Sequence, residues 1–308
     1  MPEIPDEIQE MPPRTSPLEV GRDINGEMPG TTVYVPSGVL GIDTREDFME
    51  TYDVNTVIQY LGNLDFDTHI PEYYDCEDRA FWGVAHARYR FPGLPIGVVS
   101  GHTSQNHPIP NQDHAVIVMW QSVGRDNQGK AILKPILYDP LPNLPTGYNR
   151  LVDNFATVKS VIGFPVGDNI PPIEGRELVP LNNTAIVFDI KRIIYPLHTD
   201  DEMGIMDYLK NEVYNEECID REFHTHAVGD TTFEDKWIDC DKALWAFAHV
   251  RRAYAGCTVG VAIGREVLGI PIAALIIWYK EDGEIKHKFW DPNSPEEDIT
   301  FTPLKIFA

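Results

Sequence analysis

The sequence predicts an α+β protein in which one unit, a cysteine-bearing helix packed on an antiparallel sheet, occurs twice behind an extended N-terminal arm. Three observations carry that prediction. Asp75-Cys76-Glu77-Asp78-Arg79-Ala80-Phe81-Trp82-Gly83-Val84-Ala85-His86-Ala87-Arg88 resembles Asp239-Cys240-Asp241-Lys242-Ala243-Leu244-Trp245-Ala246-Phe247-Ala248-His249-Val250-Arg251. With one position dropped after the cysteine, Asp, Cys, Asp, Ala, Trp, Ala, His and Arg coincide, and a spacing of 163 residues then holds through Gly93/Gly256, Gly97/Gly260 and Gly101/Gly264. Each of these segments is followed by short apolar runs rich in β-branched residues, which read as strands. The first thirty residues, by contrast, hold Pro2, Pro5, Pro12, Pro13, Pro17 and Pro29 among acidic residues with no apolar period.

Each element follows from local chemistry. The arm, 1–38, lacks the apolar surface needed to offset its ordering entropy, so its first thirty residues are expected outside either core and lying on a partner when ordered. The first helix opens at Cys76, with Asp75 as N-cap, acidic residues in the first turn and an apolar face of Ala80, Phe81, Val84 and Ala85. Pro95–Gly101 matches Thr258–Gly264, His114–Trp120 matches Ile272–Trp278, and Ile132–Pro140 matches Glu284–Pro292. The middle pair reads as a central strand buried on both faces. Asp282-Gly283 marks a hairpin in the second copy. The copies are expected over 39–170 and 171–308, with the boundary among the prolines between Pro165 and Pro180.

Composition narrows the partners. A net charge of −23 opposes binding to nucleic acid or an anionic membrane, while favouring solubility, divalent cations or basic partners. The start has no basic n-region or apolar core of a secretory signal, and the longest apolar run, Ile270 to Tyr279, has the length of a buried strand. Cys76, Cys218, Cys240 and Cys257 form no CxxC pair and no disulfide framework, so free thiols in a reducing, cytoplasmic setting are expected.

Only the first copy keeps a set of residues able to do chemistry. A cysteine at a helix N-terminus faces N–H groups that favour thiolate. His114 opens the second core strand and Asp139 ends the third, which can bring both to one end of the sheet beside the helix start. Asp75-Cys76-Glu77-Asp78, then His114-Ala115-Val116, then Tyr138-Asp139-Pro140 resembles the papain-like transglutaminase fold, in particular the bacterial transglutaminase-like cysteine proteinases. The resemblance covers roughly Tyr73 to Pro140. It implies two tandem papain-like domains, with Cys76 as nucleophile, His114 as general base and acid, and Asp139 as the orienting carboxylate. It also implies calcium at Asp75 and Glu77. Independently of the resemblance, carboxylates on Asp75, Glu77 and Asp78 should raise the Cys76 pKa unless a cation compensates them.

The second copy keeps Cys240 and Asp291 but has Ile272 where His114 should be, so Cys240 reads as a packed thiol. His86 and His249 lie roughly 15 Å along their helices from the cysteines and read, with Trp82 and Trp245, as packing residues. His102 and His107 fall in a polar, proline-rich stretch that reads as a solvated loop rather than a metal site. His224-Thr225-His226 lacks further zinc ligands, and Thr199–Glu202 and Glu296–Asp298 read as solvated acidic loops. The expected function is a cysteine-dependent hydrolase or acyl transferase acting on a peptide or side-chain amide of a protein substrate. The alternative is a non-catalytic assembly protein of a virion or filament, self-associating through the arm.

Overall fold

The computed structural model describes 32–33, 39–40, most of 53–163, 197–213 and most of 239–307. It is an α+β protein with two sheets, each carrying a long helix, and the two long helices pack against each other. Residues 1–31 and the expected boundary between Pro165 and Pro180 lie outside the described residues, as do Cys218 and His224–His226.

The first repeat contributes β2 (Val39–Leu40), α1 (Val54–Gly62), α2 (Cys76–Arg90), β3 (Ile96–Thr103), β4 (Asp113–Arg125), β5 (Ala131–Tyr138) and β6 (Phe155–Gly163). Its sheet has the order β2-β6-β3-β4-β5, antiparallel except for the short parallel β2–β6 pairing. The second contains β7 (Leu197–His198), α3 (Thr199–Tyr208) running into a π-helical turn at Leu209–Val213, and α4 (Asp239–Ala253). Strands β8 (Val259–Glu266), β9 (Pro271–Glu281), β10 (Glu284–Asp291), β11 (Ser294–Asp298) and β12 (Phe301–Phe307) complete it. The order β12-β8-β9-β10 repeats β6-β3-β4-β5, and Glu281 pairs with Glu284 across the expected hairpin. Thr32–Val33, at the end of the arm, forms β1 and adds in parallel to β12.

Two acidic segments expected as loops are regular structure. Thr199–Glu202 opens α3, and Ile205, Leu209 and Val213 recur on one buried face further along. Glu296–Asp298 belongs to β11, an edge strand of its sheet.

Helix α2 starts at Cys76 because Asp75 and Asp78 form a reciprocal capping box: Asp75 accepts from first-turn N–H groups, and Asp78 accepts from the Asp75 N–H at 3.2 Å. Ala80, Phe81, Val84 and Ala85 are buried, as expected from their helical spacing. Gly83 faces β4 so closely that an added Cβ would collide with the Ile117 side chain and approach the Phe66 ring to 3.2 Å. The helix therefore lies directly on the strand that carries His114 near its start.

The helix–helix interface is reciprocal in its ion pairs and its tryptophan–histidine packing, which occur twice with the roles exchanged. Arg251 donates from Nε to Asp78 at 2.8 Å and from Nη1 to the Cys257 carbonyl at 2.9 Å. Arg88 donates from Nε and Nη2 to Asp241 and from Nη1 to the Leu94 carbonyl at 2.8 Å. Trp82 packs on His249 with centroids 4.7 Å apart, and Trp245 on His86 at 4.6 Å. The two imidazoles stand 5.5 Å apart at the centre. Arg252 caps Trp82 at 4.2 Å, where the other half places Tyr89 on Trp245 at 4.8 Å. The recurring histidines and tryptophans thus pack, as their distance along the helix from the cysteines implied.

Both paired arginines and their aspartates are buried, so removing one partner leaves an uncompensated charge. Arg88→Ala or Asp241→Ala should each lower unfolding free energy by about 3–5 kcal/mol, read by urea denaturation of the whole chain. The interface also sets a pH response. Burial first, then repulsion from Arg252, lowers His86 to about 4. Burial, then His86 and Arg252, lowers His249 to about 3. Unfolded histidines titrate near 6.5, so below that pH the unfolded chain binds more protons. This contribution to stability is complete above about pH 6.5 and declines toward pH 4 and 3. The Tm should fall more steeply over that interval in the wild type than in His86→Phe/His249→Phe, measured side by side by scanning calorimetry.

Candidate active site

The three residues singled out for chemistry occupy the structural positions their spacing implied. Cys76 is the first residue of α2, His114 the second of β4, and Asp139 follows the last residue of β5. The register Gly101↔His114 on one side of β4, with Ile117↔Tyr138 on the other, puts His114 and Asp139 at the same end of the sheet. His114 Nε2 and Asp139 Oδ1 are 3.1 Å apart, and both side chains are buried.

Asp139 is the most constrained group. Its Oδ1 also accepts from the Leu141 N–H at 2.9 Å, and its Oδ2 pairs with His107 Nε2 at 3.1 Å. The main chain is fixed as well: the Asp139 N–H donates to the Arg150 carbonyl at 2.8 Å, and Arg150 Nη1 donates back to the Asp139 carbonyl at 2.9 Å. Burial would raise the carboxyl pKa. The hydrogen bonds from His107 and His114, the attraction of His114 and the Leu141 N–H outweigh it, holding Asp139 well below the usual carboxylate range. It is an anion whenever the fold is intact near neutral pH.

His107 is the residue that sequence reading misplaced. Its stretch is polar, yet its side chain is wholly buried and its ring centroid lies 5.1 Å from that of His114. His102, expected in the same loop, is instead the penultimate residue of β3, paired with Asp113 of β4; its half-buried ring sits 3.1 Å from an exposed Asp113 oxygen.

The thiol is in a less activating setting than a helix start alone would give. Cys76 is half-buried and donates to Glu77 Oε2 at 3.0 Å. Its pKa lies well above the ordinary value, through burial first, then the Glu77 and Asp75 charges and the bond to Glu77; an Ala115 backbone N–H pulls the other way. That Ala115 contact sets the sulfur against the residue following His114. Asp78, expected to crowd the thiol, is instead held by the cap and by Arg251. The second described cysteine side chain, Cys257, is a packed thiol that burial pushes up to about 12.

Two side-chain groups have metal-ligating composition, each with its ligand atoms within 4.8 Å of one another. In the first, His107, His114 and Asp139, the Ile109 N–H donates to His107 Nδ1 at 3.1 Å, so in neutral His107 Nε2 carries the proton. A metal-bound histidine needs the opposite arrangement, with the second nitrogen donating. This cluster is therefore a hydrogen-bonded set. In the second, Asp75, Cys76 and Glu77, two half-buried carboxylates could hold a hard cation, with water and backbone oxygen completing its shell.

In the second repeat, Ile272 pairs with Gly264 as His114 pairs with Gly101, so it stands at the register position of the missing histidine. Cys240 lies in the first turn of α4, and Asp291 is buried at the end of β10.

The thiol's environment has a direct readout. Iodoacetamide should label Cys76 slowly near neutral pH and faster as pH rises past the ordinary thiol range, with Cys257 protected while the chain is folded. Glu77→Gln should move the Cys76 pH profile downward, because it removes the charge nearest the sulfur. An unchanged profile would show that the Glu77 charge does not set the thiol.

Comparison with protein-family models, with curated proteins and with solved structures finds no match in any of the three.

Proposed function

We propose that the first repeat is a cysteine-dependent amide-processing centre of papain-like, transglutaminase-like type, acting on a peptide bond or side-chain amide of a protein. The observation that carries this reading is the buried His114–Asp139 pair, held at the strand ends beside the helix start that bears Cys76. An aspartate kept ionised by several donors orients an imidazole and stabilises its charged form during proton transfer. Asp139 bonds to Nε2, which leaves His114 Nδ1 as the nitrogen that exchanges a proton with the thiol. In the proposed reaction Cys76 Sγ attacks the carbonyl carbon and its proton passes to His114. The same proton then goes to the departing amine, leaving a thioester that water or another amine resolves. The Cys76 N–H, in the first turn of α2, supports a role as one oxyanion donor.

A second reading is supported by the thiol itself. Its raised pKa and its bond to Glu77 favour the protonated form, as in an assembly protein that retains the fold without turnover. A divalent cation on Asp75 and Glu77 would change the sign of the local field, so calcium is the variable that separates the two readings.

Release of ammonia or amine from glutamine-containing and unmodified peptides, with and without millimolar calcium, is the test. Turnover is expected, stimulated by calcium, lost in Cys76→Ala and reduced at least ~100-fold in His114→Ala. Glu77→Ala should weaken the calcium response. Activity that survives Cys76→Ala removes the catalytic reading, and absence of turnover with and without calcium favours the assembly role.

A further inference from the structure

We propose that His107 is a positioning residue of this site, the second imidazole donor to Asp139, and that through Asp139 it fixes the tautomer of His114. Its catalytic meaning rests on the reading of Cys76, His114 and Asp139 given above, whereas the hydrogen-bond arrangement can be observed without turnover.

The loop between β3 and β4 is folded to deliver this side chain. Buried Thr103 closes its base: the Thr103 N–H donates to the Gln112 carbonyl at 2.8 Å, and the Gln112 N–H donates to Thr103 Oγ1 at 3.0 Å. The Thr103 hydroxyl also bonds the Ile109 carbonyl. Within the loop, the His107 N–H donates to the Ser104 carbonyl at 3.2 Å, and Asn111 turns the chain back with a left-handed φ of 55°. The ring then lies under the sheet end, 5.1 Å from His114 by centroids.

The proton positions follow from the partners. Because the Ile109 N–H donates to His107 Nδ1, the proton of a neutral His107 resides on Nε2 and points at Asp139 Oδ2, 3.1 Å away. The other oxygen, Oδ1, faces the Leu141 N–H at 2.9 Å and His114 Nε2 at 3.1 Å. The His107 Nε2–H and the Leu141 N–H place a fixed donor on each oxygen, an arrangement that favours the ionised carboxylate. An ionised Asp139 accepts, which requires the proton of a neutral His114 on Nε2 and the lone pair on Nδ1. Without His107, Oδ2 would be a buried acceptor with one donor fewer, and the neutral acid would become more favourable.

Imidazole ¹⁵N spectra of the whole chain, with ¹³C-carboxyl labelling of aspartate, test this directly. At neutral pH His107 and His114 should both show the Nε2–H tautomer, and the Asp139 carboxyl signal should be flat from about pH 3 to about pH 6, where an ordinary aspartate titrates near its lower end. In His107→Leu the Asp139 midpoint should rise by ~2 units or more, so that the lower end of that window is no longer flat. His107→Gln, which keeps an N–H donor, should restore the flat response that a merely space-filling role would not distinguish. A wild-type His107 with its proton on Nδ1, or an Asp139 signal unchanged in His107→Leu, would overturn the proposal. Should the leucine variant not fold, the wild-type tautomer spectrum decides alone. Expected spectra without amide turnover would remove the catalytic reading and leave the positioning role. Turnover with the wrong tautomer would do the reverse.

Discussion

Asp78 joins the two halves of the protein to the start of the helix that carries Cys76. One carboxylate oxygen accepts from Arg251 in the opposing helix, and the other accepts from the Asp75 N–H to complete the capping box. An isolated cap of this kind would fray in water; here its anion is buried and its charge is matched by a guanidinium that cannot leave without stranding it. The helix origin, and with it the height of Cys76 against β4, is therefore fixed by a contact from the other repeat. The mirror contact, Arg88 with Asp241, ties the first turn of the second helix to the first helix.

Desolvation acts on every titratable group in this core, and what differs is the number of donors each group receives. His86 and His249 have buried Nε2 atoms with no hydrogen-bond partner among the described residues, so burial drives both toward neutrality. Cys76 receives a carboxylate where a thiolate would need a donor, so burial and charge act in the same direction. Asp139 is as deeply enclosed, yet donors reach both of its oxygens and reverse the sign. The low-dielectric interior penalises unpaired charge and strengthens paired charge, and here it does both within one repeat.

Much of this arrangement was legible in the sequence because it depends on local rules repeated twice. The start of α2 follows from Asp75 and the spacing of Ala80, Phe81, Val84 and Ala85, and three strands of each sheet follow from apolar runs aligned between the repeats. Strands β6 and β12 escaped because they pair with β3 and β8 across a long stretch of chain, and neither lies in the aligned segments. His107 escaped for a related reason. Ser104, Gln105, Asn106, Pro108 and Asn111 give its loop a solvated composition, and only the bonds from Thr103 to Ile109 and Gln112 turn the histidine inward. The raised thiol pKa was foreseen from its acidic neighbours, whereas the larger share due to burial requires knowing what covers the helix start.

The reciprocal face between α2 and α4 has the symmetry of a twofold homodimer, with Asp, Trp, His and Arg at matching places on both sides. In an ordinary dimer such a face assembles by collision, and its occupancy falls on dilution. Here both sides belong to one chain, so docking is first order and governed by the effective concentration that the connecting segment imposes. A chain present at a few copies and one present at many therefore keep the same proportion of closed interface. The second repeat, with Ile272 at the register position of His114, thus keeps its half of that face closed at any concentration of the chain.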